Sequence, residues 1–74
     1  MDKRVVHVQQ KAGTITLRAQ EIPEGSPVWL MWEISECGAL TVYQERARSF
    51  GDYTLPRALR SFAPGEWKTV KYDE

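Results

Sequence analysis

Seventy-four residues, with ten basic and ten acidic side chains, one histidine and one cysteine, set narrow limits. A chain this short has room for one domain, buries only about 60% of its unfolded surface and so carries a thin core. Cys37 alone excludes an internal disulfide, His7 and Cys37 together fall short of the paired ligands of structural zinc, and zero net charge argues against a nucleic-acid binder working through bulk charge.

Residues 5–10, Val-Val-His-Val-Gln-Gln, are β-branched and partly alternating and read as a first strand. Lys11-Ala12-Gly13 is a short turn. Residues 14–20 then alternate cleanly, with Ile15, Leu17 and Ala19 on one face and Thr14, Thr16, Arg18 and Gln20 on the other. Two such runs joined through a short glycine-containing connection predict a β-hairpin. The stretch 22–27, bracketed by Pro23 and Pro27, is a loop.

Residues 28–35 form the third predicted strand and 40–45 the fourth, turned at Glu36-Cys37-Gly38-Ala39. Aromatic and β-branched content and the Gly38 break favour strands over a helix here. Residues 46–53 are charged and then small and polar, which reads as a loop. Leu55, Ala58, Leu59 and Phe62 follow at i, i+3, i+4 and i+7, the spacing of one helix face. Thr54 suits an N-cap, Pro56 suits a first turn, and Pro64-Gly65 ends the segment. Residues 66–72 resume alternation as a fifth strand. The order β-β-β-β-α-β predicts an α+β protein spanning residues 1–74 as a single domain: a small antiparallel sheet of five strands, or a partly closed barrel, with one short amphipathic helix.

The third strand carries most of the functional argument. Val28, Leu30, Trp32 and Ile34 form one face, which can join Leu40, Val42, Ile15, Leu17, Val6 and Val8 as core. The other face shows Trp29 and Met31, with Tyr43 across the hairpin. A strand apolar on both faces is normally buried on both, and one helix can cover only one of them. Either the sheet curls, or the 46–53 loop and the tail cover the second face, or Trp29, Met31 and Tyr43 face outward as a protein-binding or self-association patch.

Charge is distributed in blocks. Residues 1–18 hold Lys3, Arg4, Lys11 and Arg18 against Asp2; residues 19–45 hold five glutamates (Glu21, Glu24, Glu33, Glu36 and Glu45) and no base. Arg46, Arg48, Arg57 and Arg60 follow against Asp52, with Phe50 and Tyr53 interleaved. This arginine set is the candidate nucleic-acid surface, and on a helix Arg57 and Arg60 would project together. Pairing of the blocks across antiparallel strands is the plainer expectation.

Catalytic chemistry finds little support. Cys37 and His7 could serve as thiol and base, but they fall in different elements and no third residue orients them. Glu33, Glu36 and Glu45 read as a solvated acidic edge. Phosphate-binding loops and dinucleotide fingerprints are absent, so no cofactor is expected. The opening residues contain no apolar run and the longest such run is residues 28–32, so neither a signal peptide nor a membrane span is expected. A lone cysteine fits a reducing, cytoplasmic setting.

In its general build, small, aromatic-rich and without catalytic motifs, the chain resembles the compact stand-alone proteins encoded by phages and other mobile elements. That resemblance implies a non-enzymatic binder that inhibits or regulates a larger host complex, of the anti-CRISPR or polymerase-inhibitor kind. The expected site is Trp29, Met31 and Tyr43; the alternative is a nucleic-acid-binding accessory protein using Arg46, Arg48, Arg57 and Arg60.

Overall fold

Alternation in the first twenty residues does produce a hairpin. Strand β1 (Asp2–Gln10) pairs antiparallel with β2 (Gly13–Arg18), in a register that sets Val6 opposite Leu17 and Val8 opposite Ile15. A second hairpin joins β3 (Val28–Ile34) to β4 (Leu40–Arg46), with Leu30 opposite Gln44 and Trp32 opposite Val42. Its turn is fastened at Ser35, whose hydroxyl accepts from the Ala39 N–H at 3.0 Å and whose carbonyl accepts from the Gly38 N–H at 2.9 Å. Gly38 turns the chain at a φ of +92°, a conformation that costs glycine little and other residues more.

The computed structural model describes residues 1–23, 25–47 and 55–74, and there it corrects the expected fold class. The protein is all-β rather than α+β, with six strands instead of five and no helix among the described residues. The strands form two three-stranded antiparallel sheets, ordered β2-β1-β6 and β3-β4-β5, rather than one sheet or one barrel. Strand β5 (Arg57–Phe62) occupies the predicted helix, and β6 (Thr69–Asp73) returns to pair with β1.

A β-bulge explains the misread helix. Val42 lies opposite Arg60 but its neighbour Tyr43 lies opposite Ala58, so Leu59 is an extra residue in β5. Two residues of a bulged strand oppose one on its partner, which breaks the strict period of two. Leu59 and Phe62, three apart, therefore both reach the core, and the bulge reproduces a helical spacing within a strand. The other members of the supposed helix face do not follow: Ala58 is exposed and Leu55 is 82% exposed. Pro56 stands just before the strand, where a missing N–H removes no ladder bond. Thr54, the expected cap, lies outside the described residues.

The two sheets meet face to face. Val6 and Val8 of the first pack with Leu30, Leu40, Val42 and Phe62 of the second, all nearly or wholly inaccessible. Burying side chains of this kind contributes about 1.5–3 kcal/mol each. Ile15, Leu17, Trp32, Leu59, Trp67, Val70 and Tyr72 close the margin. Three polar contacts stitch the sheets together. Tyr72 Oη donates to the carbonyl of Leu30 at 2.7 Å, and its ring stands 4.7 Å from that of Trp32. Trp67 Nε1 donates to the carbonyl of Gly38 at 2.9 Å. The Gln44 amide accepts from the Gln20 N–H and donates to the Gln20 carbonyl, both at 2.8 Å, as a strand partner would.

Candidate binding face

Because successive side chains of a strand point to opposite faces, the inward set Leu30, Leu40 and Val42 sends its neighbours outward. On β3 these are Trp29, Met31 and Glu33, and on β4 Thr41, Tyr43 and Glu45. Register pairs them as Trp29 with Glu45, Met31 with Tyr43 and Glu33 with Thr41. Strand β5 adds Ala58 beside Tyr43 and Ser61 beside Thr41, with Thr41 Oγ1 and Ser61 Oγ 3.2 Å apart. The three residues singled out from sequence thus stand together: Met31 faces Tyr43, and Trp29 is the next outward residue along the strand. All three are half-buried. The tail does not cover them, since β6 is paired into the other sheet; the rest of the expected cover, residues 48–53, lies outside the described residues.

At the turn end of this face Glu33, Ile34, Ser35, Ala39, Thr41 and Tyr43 surround an open hollow of about 460 Å³. Among the described residues around it, Glu33 carries the only charge. Ile34, an inward residue at the end of an edge strand, is 53% exposed there. A second open cleft, of about 570 Å³, lies at the other end of the molecule, where Arg4 and Arg18 offset Asp2 and Glu21. The Arg4 backbone N–H, 2.9 Å from Asp2 Oδ1, holds the Asp2 carboxyl below the usual carboxylate range.

The arginines are arranged differently from the helical expectation. Arg48 lies outside the described residues. Arg57 sits opposite Gln44 and Arg60 opposite Val42, so the bulge leaves both on the same side of β5, with the Arg60 guanidinium 5.2 Å from the centre of the Phe62 ring. Arg46, opposite Val28, shares that side of its sheet.

Cys37 and His7 do not form a pair. The exposed Cys37 thiol is 3.1 Å from Ser35 Oγ, and this hydrogen bond, with the Ala39 N–H, holds the thiol below the ordinary cysteine range. Both ring nitrogens of His7 are engaged elsewhere: Nδ1 lies 2.9 Å from Thr16 Oγ1, and Nε2 lies 2.9 Å from Asp73 Oδ1. A carboxylate only accepts, so Nε2 donates to Asp73, while Nδ1 and the Thr16 hydroxyl share a hydrogen bond. Hydroxyl, imidazole and carboxylate in line are the parts of a hydrolase triad. Here each comes from a different strand on the outer face of the first sheet, and they clasp β2, β1 and β6 together. Sequence reasoning missed this array. The tight turn at 11–12 is a signal that could have placed Thr16 opposite His7; no local signal places Asp73.

Fold and face together define a small two-sheet antiparallel β-protein with an apolar, acid-flanked outer surface. The chain matches no protein-family model, no curated protein and no solved structure.

Proposed function

We propose that the protein is a non-enzymatic binding module that docks a protein partner through the outer face of β3 and β4, and so inhibits or regulates a larger complex. The observation that carries this reading is the pairing of Met31 with Tyr43 beside Trp29, outside a sandwich whose core is already complete without them. Tryptophan, tyrosine and methionine are enriched at the centres of protein interfaces, where they supply large contact area at low entropic cost. The resemblance to phage-type proteins supports the inhibitor role, and the exposed thiol of Cys37 suits a reducing, cytoplasmic compartment.

Variants that retain only Trp29, Trp32 or Trp67 test the reading through quencher accessibility, with light scattering for mass. Trp29 is expected to be quenched readily in a monomer and Trp32 poorly. Shielded Trp29 in a monomer would overturn the docking face, and shielded Trp29 in a dimer would make the partner a second copy. Trp29→Ala should abolish partner capture while far-ultraviolet dichroism stays unchanged; unfolding would instead assign Trp29 to the core.

Nucleic-acid binding through Arg46, Arg57 and Arg60 is the second reading, favoured by the exposure of Arg57 and Arg60, although by register the three lie on the core-facing side of the second sheet, at its margin. It requires an electrophoretic shift at low salt that weakens steeply as salt rises.

A further inference from the structure

Among the described residues, the outer face of the second sheet carries charge of one sign. Its described side chains are Trp29, Met31, Glu33, Thr41, Tyr43, Glu45, Ala58 and Ser61, which include carboxylates but no cation. The outer face of the first sheet carries Arg18 and Lys71 beside Asp73. The hollow at the turn sharpens this asymmetry. Glu33 lies opposite neutral Thr41, and Ala39 and Tyr43 line the same hollow.

We propose that this hollow seats a lysine or arginine side chain of a basic protein partner. Such a side chain joins an aliphatic stem to a cationic head, and the hollow offers both complements. Ala39 gives the stem apolar contact, Glu33 gives the head a carboxylate, and Tyr43 adds an aromatic group that attracts cations. About 460 Å³ is room for one long side chain and part of its backbone. Met31 and Trp29 continue the surface along β3, so a partner anchored in the hollow would lay its apolar neighbours across them. The Glu33 carboxylate selects the sign of the partner and the aromatic strip supplies contact area.

The inference rests on the docking reading above but can fail separately. The probe is an end-capped nonapeptide of alternating lysine and threonine, with glutamate in place of lysine as control, titrated into the intact protein and followed by amide nitrogen–proton correlation spectra. The lysine peptide should move the resonances of Glu33, Ser35, Thr41 and Tyr43, and the glutamate peptide should leave them in place. Glu33→Gln should weaken the response about threefold to fivefold, the range of a partly exposed ion pair, and Glu33→Lys should remove it. Glu36→Gln, an exposed carboxylate in the adjoining turn, should change it by less than about 1.5-fold. An unmoved hollow at millimolar lysine peptide, or equal weakening by Glu33→Gln and Glu36→Gln, would overturn the basic-partner assignment. If Trp29 is still quencher-accessible in that case, the docking face stands and its partner is not basic; shielded Trp29 in a monomer removes both.

Discussion

The two sheets share strand number and antiparallel pairing but spend their side chains differently. On the outer face of the first, β2-β1-β6, polar residues bind one another across strands: Thr16 to His7, His7 to Asp73, and Thr69 to Gln9 at 3.2 Å. The outer face of the second, β3-β4-β5, holds Trp29, Met31 and Tyr43, which the core does not need. Their inner faces differ as well. The first supplies valines as its fully buried residues, the second Leu30, Leu40, Val42 and the larger Phe62. One sheet satisfies itself on its outer side, and the other keeps an apolar surface that water solvates poorly. The proposed docking face rests on this contrast and on no catalytic motif.

The sharpest way to break the comparison is in the core. Phe62→Ala should cost about 3–5 kcal/mol, measured by urea denaturation, because it empties the largest buried volume. In so small a domain that loss should leave much of the population unfolded. If Phe62→Ala costs less than 1.5 kcal/mol, the second sheet does not dominate the core. Tyr72→Phe tests the seam between the sheets: it leaves the Leu30 carbonyl without its hydroxyl donor but keeps the ring beside Trp32, for an expected loss of about 1 kcal/mol. Thr16→Val separates the outer faces. It should cost about 0.5–1 kcal/mol through the lost His7 contact and leave partner capture intact, whereas Trp29→Ala should do the reverse. Ser35→Ala is read at Cys37 rather than in stability. The depressed thiol should alkylate at lower pH than an unstructured cysteine, and removing the Ser35 hydroxyl should move that profile toward higher pH. An unmoved profile would show that Ser35 does not hold the thiolate.

Local pattern was enough for both hairpins, because alternation and tight turns act between neighbouring residues. It also assigned Val6, Val8, Leu30, Leu40 and Val42 to one core, and Trp29, Met31 and Tyr43 to the opposite face of the second hairpin. It failed at β5, where an inserted Leu59 shifts phase and gives Leu59 and Phe62 a helical separation. It failed again on sheet number, since nothing in the 19–27 loop encodes a crossing from one layer to another. The clasp at Asp73 was equally invisible, as it depends on a pairing between residues 66 positions apart. Propensity works over a few residues; these features were decided by distant partners.

The pairing of β1 with β6 also sets a timetable. The second sheet is built from three consecutive strands, so its contacts can form as soon as residue 62 is available. The first waits for residues 69–73, because His7 meets Lys71 and Gln9 meets Thr69 across a separation of sixty or more positions. Closing so long a loop costs entropy that no local contact repays in advance. During synthesis, then, the β1–β2 hairpin exists for a time with one edge unclaimed. The protein is most open to wrong strand partners at that stage, and the arrival of residues 69–73 claims that edge.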